Sequence, residues 1–344
     1  MVDARLKRVA GFALRYGIGL LAVAWLLGQL DYDRLLGVLT DVPPETVGLL
    51  LVVTAVGLAG RFSTWHVLMN RLDTATFRQA ASTDLVVNFI NQVLPSRLSG
   101  RAAAPVVVST ETGMSGGDSV AVAGVHTGLY AVLYGVVSAV GVLAGVGRFP
   151  AGVLLLLGLS TLLYFVAGAF VLLVGSNLTA VDRFVASLAG LFERVPRVGP
   201  RLAGTVRSLP DFTDSSAAAF RTLSTSPRAV GLYALGWVVA MVLTPGLRVW
   251  LLLDALGAGF EPALLLPLYL LAAYSVTLLP LTPGGIGVTE ATATAVFVAL
   301  GVPAEIVVPV VFLDRFLSVY LPALVGWYPS LRLDLSALAA DQGE

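Results

Sequence analysis

Pro280-Leu281-Thr282-Pro283-Gly284-Gly285-Ile286-Gly287-Val288-Thr289-Glu290 interrupts an apolar region that runs over about 263–300. Proline removes a backbone donor and clashes with the turn before it, while glycine admits positive φ. Pro283-Gly284-Gly285 therefore breaks a helix rather than continuing it. The break has a counterpart 188 residues earlier, where Pro95-Ser96-Arg97-Leu98-Ser99 aligns without gaps on Pro283-Gly284-Gly285-Ile286-Gly287. In the same register Gly113 falls on Gly301, and His126-Thr127 falls on Asp314-Arg315. A duplicated helix break at membrane depth predicts a transporter built from two related halves.

Composition sets the solvent. Hydrophobic residues make up 57% of the chain and charged ones 12%, with mean hydropathy +0.88; a soluble domain carries about 25% charge. Several apolar runs are long enough to cross a ~30 Å hydrocarbon layer. The short alternating strands of a membrane β-barrel are absent from the sequence. The expected fold class is all-α: a polytopic integral membrane helix bundle with an inverted structural repeat and two broken or re-entrant helix hairpins. Net charge is zero, so no nucleic-acid partner is expected. With no cysteine and only His66 and His126, no metal site and no cofactor is expected. No Ser-His, metal or cysteine constellation stands out, so the chain reads as a transporter and not as an enzyme.

The whole chain, 1–344, reads as one transmembrane domain. A first helix at 14–30 precedes repeat unit one at 46–146, and a connecting helix at 151–175 leads to a polar segment at 177–227. Repeat unit two occupies 229–328. The polar segment carries basic residues from Arg183 to Arg228, as the N-terminal tail does at Arg5, Lys7 and Arg8. Both should face the cytoplasm, with the C-terminus, in a multi-pass protein of the cell membrane. Part of 177–227 suits either an amphipathic helix on the leaflet or a connector packing on helix ends. Because one crossing separates the units, the second is inverted relative to the first. The two breaks then enter from opposite faces and meet near the midplane, where a transported group is expected.

The candidate substrate-binding residues lie at and after the breaks: Arg97, Arg101, Gly284, Gly285, Gly287, Glu290, Asp314 and Arg315, with Asn88, Asn91 and His126 as secondary candidates. A guanidinium suits a phosphate, but Arg97 and Arg101 also fit snorkelling to the interface. Asp314-Arg315 sits inside an apolar segment, where a charge is costly and needs a partner. It fits a midplane site for substrate or protons, or an ion pair between helices, for instance with Arg248. With Gly287 as N-cap, Glu290 occupies the third helical position and complements the helix dipole. The free N–H groups of that helix start are also available to an anion. Asn88 and Asn91 share a helical face and suit interhelical hydrogen bonds. His126 fits a packing residue or a proton relay. Arg61 and Arg248 are expected to snorkel, and Trp65, Trp250 and Trp327 to anchor at the interface.

Asn-x-x-x-Pro-x-Arg-Leu from Asn91, Pro-Gly-Gly-Ile-Gly-Val-x-Glu from Pro283, and the acidic-Arg pair Asp314-Arg315 resemble the lysylphosphatidylglycerol synthase transmembrane-region family of flippase-like proteins. The resemblance runs from about Val47 to Tyr328. Where the family usually shows Pro-Gly-Arg-x-Gly-Glu, this chain has Ser96 and Ser99-Gly100, and His126-Thr127 stands where an acidic-Arg pair is common. The resemblance implies a stand-alone member without a synthase domain. It would move a phosphate-bearing lipid between leaflets: an aminoacylated or glycosylated phospholipid, or a polyprenyl-phosphate-linked sugar. Its partners would be that lipid and the bilayer. Two rival readings remain, an ion-coupled transporter of a small anion and a non-transporting scaffold for a separate lipid-modifying enzyme.

Overall fold

The computed structural model describes Gly37, Thr40 and residues 42–93, 97–177, 216–279 and 282–331. The first helix expected at 14–30, most of 177–227 and the C-terminus lie outside these residues, as do Pro95 and Pro280. Among the described residues the chain is helical, without strands. Five helices of the described residues are long and apolar enough to cross a membrane: α1 (Pro44–Leu72), α4 (Gly116–Ala144), α5 (Ala151–Ser176), α6 (Pro227–Ala255) and α9 (Ala304–Ser330). Between them lie the shorter helices α2 (Phe77–Val93) and α3 (Arg97–Thr112), then α7 (Ala263–Leu278) and α8 (Val288–Ala299). The protein is a multi-pass α-helical membrane bundle.

Local chemistry sets the boundaries. Pro44 and Pro227 stand at the first helical positions of α1 and α6, where a missing N–H costs nothing. Ser115 caps α4 by accepting a hydrogen bond from the Asp118 amide, as an N-cap serine should. The third and fourth helices of each unit are joined by a turn through a positive-φ glycine, Gly113 in one and Gly301 in the other. Each unit thus runs long helix, two short helices across a break, long helix.

Close glycine contacts interlock the two units. At Gly57 a Cβ would strike Thr244, and at Gly60 it would meet the Gly236 carbonyl. As the α1 numbers rise the α6 numbers fall, so these first helices cross antiparallel, as an inverted repeat requires. Added to Gly326 on α9, a Cβ would strike the Leu85 carbonyl on α2; added to Gly141 on α4, it would strike the Leu268 carbonyl on α7. The first short helix of each unit therefore packs on the last helix of the other. Two buried cores result, one around Trp65, Leu68 and Tyr134, the other around Leu252, Tyr269 and Phe297. Leu155, Leu162, Phe170 and Leu173 of α5 stay exposed, the surface a lipid-facing helix presents.

The described end of the polar segment forms a short helix over 216–224. Phe220 and Leu223 are buried, with Phe220 filling the space beside Gly124 and Gly175. This part is a connector packed on helix ends, while Arg221 and Thr222 point outward.

Candidate functional site

The second break is built from its glycines. Gly284, Gly285 and Gly287 have φ of 61°, 75° and 82°, a region that other L-residues enter only at a cost of roughly 1–2 kcal/mol each. The turn they form starts α8 with Gly287 as N-cap, and the Gly287 amide donates to Glu290 Oε2 at 2.7 Å. Glu290 Oε1 accepts from Arg315 Nε at 3.0 Å and from the Tyr320 hydroxyl at 2.5 Å. The Arg315 guanidinium lies 5.6 Å from the Tyr274 ring centre and 5.5 Å from that of Tyr320, within cation–π range. The break is thereby fastened to the middle of α9.

Two more ion pairs flank it. Arg248 of α6 donates to Asp314 Oδ1 through Nε at 2.8 Å and approaches it through Nη2 at 2.7 Å. The Tyr274 hydroxyl donates to Asp314 Oδ2 at 2.8 Å. Both charged side chains are buried, so the pair holds only because its geometry and hydrogen bonds are good. Arg61 of α1 donates from Nε to Asp84 Oδ2 of α2 at 2.7 Å. Arg61 and Arg248 are therefore interhelical partners and do not snorkel. The low dielectric makes an unpaired charge at that depth too costly.

Proline chemistry explains a further link. Pro322 has no N–H, so the Ser318 carbonyl, four residues earlier, lacks its usual helical donor. The helix widens into a π-turn over Phe316–Tyr320, a distortion often found at functional sites. Arg61 Nη1 donates to the Ser318 carbonyl at 3.0 Å, and Asn88 Nδ2 to that of Val319 at 3.0 Å. In α6, Pro245 follows a matching π-turn over Val239–Leu243.

These elements surround a cavity of about 150 Å³ between the two units. Its wall includes Arg61, Asp84, Asp314 and Arg315, the amides Asn88, Asn91 and Gln92, and the rings of Trp65, Tyr130, Tyr134 and Trp237. His126 also lines it. Its ring stacks on Trp65 with centres 3.8 Å apart, and the Tyr233 hydroxyl contacts its Nδ1 at 3.3 Å. Trp65 is thus a wall of the cavity, buried to 2% exposure, and not an interfacial anchor; Trp250 is partly exposed.

Of the residues singled out in the sequence, Asn88, Asn91, His126, Asp314 and Arg315 line the cavity. Glu290 reaches it through Arg315, and Gly284 touches it from behind Gln92, whose side-chain oxygen occupies the space a Cβ would need. Gly285 and Gly287 shape the turn behind. The backbone of Arg97 and Arg101 lies in the first turns of α3, and their side chains lie outside the described set. The lysylphosphatidylglycerol synthase TM region family matches residues 12–326. The chain belongs to that family. Its members are flippase-like membrane domains, and the charged pair and glycine turn that carried the resemblance sit together in this one. A UPF0104 membrane protein of Pyrococcus horikoshii is 41% identical over 56 residues, a stretch covering 16% of this chain and 17% of that protein.

The family member's cavity also contains residues that the sequence reading passed over. Asp84 carries its own signal, an acid inside an apolar run, which demands a partner. Gln92 stands next to Asn91 and three residues before the first proline. Tyr274, which lines the cavity, and Tyr320, which bonds Glu290 behind it, have no such signal, because tyrosine is ordinary in membrane helices.

Proposed function

We propose that this protein moves a phosphate-bearing lipid between the leaflets of the cell membrane, and acts as a translocator rather than an enzyme. The lipid class is an aminoacylated or glycosylated phospholipid, or a polyprenyl-phosphate-linked sugar. The observation that carries the proposal is the cavity between the units: polar side chains and a broken helix lie inside an otherwise apolar bundle. Irregular backbone at membrane depth is tolerated only where protein or a wet cavity surrounds it, and transporters place their sites at such breaks between repeats. Arg315 and the helix start at Gly287 are suited to hold the phosphate, with Arg97 and Arg101 as further candidates, while the tails remain in lipid. A separate enzyme that makes the lipid would be its natural partner.

The test is leaflet exchange. Vesicles containing the protein and a tail-labelled phosphate lipid should be bleached by a membrane-impermeant reductant beyond the outer-leaflet fraction. Gly284→Val should bleach no further than protein-free vesicles. Bleaching by the wild type that stops at the outer leaflet for every phosphate lipid tried would overturn the proposal.

A further inference from the structure

Among the described residues, the charged groups at the cavity are paired. Arg61 is held by Asp84, Arg315 by Glu290, and Asp314 by Arg248. Of the buried atoms at the cavity wall without a hydrogen bond, Arg61 Nη2 is ion-paired with Asp84 at 2.6 Å, and the others are neutral. Trp237 Nε1, Gln92 Nε2, Gln92 Oε1 and Asn91 Oδ1 are buried without a hydrogen-bond partner in the protein, and all three residues line the cavity. Gln92 is 0% exposed and Trp237 1%. Buried polar groups are nearly always paired in native proteins, so this set marks a place where a ligand completes the bonding.

The mixture identifies the chemistry of that ligand. Trp237 and the Gln92 nitrogen need acceptors, whereas the Gln92 and Asn91 oxygens need donors. Turning the Gln92 amide over only exchanges which end packs against Gly284 and still leaves one donor and one acceptor without a hydrogen bond. A phosphate only accepts and an ammonium only donates, so each leaves half the set unmade. A hydroxyl does both. We infer that the cavity binds the sugar of a glycosylated lipid: a ring with several hydroxyls at its edge and C–H faces that pack on Trp65, Tyr130, Tyr134 and Trp237. The pairing of the described charges favours this neutral group at the wall they form, and the phosphate then lies toward the glycine turn. The inference rests on the lipid reading above for how the sugar arrives, but sugar binding can be measured without movement.

The experiment titrates the purified full-length chain with three lipids of matched chain length: a prenyl-phosphate hexose, phosphatidylglycerol and phosphatidate. Thermal unfolding is the readout, because a ligand stabilises only the state it binds. The hexose lipid should act at about tenfold lower concentration than phosphatidate, and Gln92→Leu should remove about tenfold of that preference, the size of one buried hydrogen bond. Gln92→Leu without lipid should unfold no earlier than the wild type, since it deletes an unpaired amide; a purely structural glutamine would show the reverse. Trp237→Phe keeps an aromatic ring but deletes the N–H and part of the ring area, and should lose preference in the same way. A response to phosphatidylglycerol equal to that for the hexose lipid would overturn the sugar in favour of a glycerol headgroup. An equal response to phosphatidate would leave the cavity to solvent alone and overturn the inference altogether. Leaflet exchange of the same lipids separates the two proposals. Hexose preference without exchange sinks only the translocator, and exchange without preference sinks only the sugar site.

Discussion

Arg248 and Asp314 show what a buried charge demands at the scale of one residue. Asp314 is 0% exposed, and without Arg248 it keeps only the Tyr274 hydroxyl. Arg248→Gln should therefore cost about 3–5 kcal/mol, and Arg248→Met with Asp314→Leu should recover most of it, since no charge is then left unpaired. Arg61, whose side chain is 14% exposed, should lose less on the same change because water reaches it. Thermal unfolding in detergent gives the ordering; equal losses at the two sites would mean that depth does not govern these pairs. Glu290 allows a different test. If Arg315 passes from this carboxylate to a lipid phosphate during transport, Glu290→Gln leaves the guanidinium free to hold the phosphate. More phosphate lipid should co-purify with the variant, while leaflet exchange slows. Reduced retention would show that Glu290 instead keeps Arg315 in place for the lipid.

At the scale of the element, the second break depends on backbone shape more than on side chains. Gly284 combines φ of 61° with contact against Gln92, whereas Gly287 has φ of 82° and open space around its Cα. Gly287→Ala should cost about 1–2 kcal/mol, the strain of an L-residue at positive φ, and Gly284→Ala more, because its methyl must also displace Gln92. Gly158 lies in α5 with nothing near it, so Gly158→Ala should gain up to ~1 kcal/mol from helix propensity. A break variant that unfolds no earlier than Gly158→Ala would identify the turn as an ordinary one. This contrast also explains what could be read from the chain. Pro283, Gly284, Gly287 and Glu290 act on neighbours within a few residues, so the break, the cap and the helix start were legible. The Arg61–Asp84 pair and the Ser318 carbonyl freed by Pro322 depend on which helices come together, and nothing local announces that. The matching of Arg248 with Asp314 was foreseeable only as one option, since a buried acid requires a base without specifying which.

For the whole molecule, the inverted arrangement predicts sidedness. Thr225 and Gly259 are exposed and lie beyond opposite ends of α6. In this cysteine-free background, Thr225→Cys and Gly259→Cys should react with an impermeant thiol reagent from opposite faces, Gly259 from outside. Labelling of both from one side would contradict an odd number of crossings between them. The crossed packing, α2 on α9 and α7 on α4, has a consequence of another kind. Neither half has a complete surface of its own, so each half completes the folding of the other. A chain severed between residues 180 and 215 should still assemble when both pieces are made together, and aggregate when either is made alone. The protein is in effect a heterodimer synthesised in one piece. Arg248 of the second half pairs with Asp314, at the place where the first half has His126, and Arg61 of the first half pairs instead with Asp84 on the next helix.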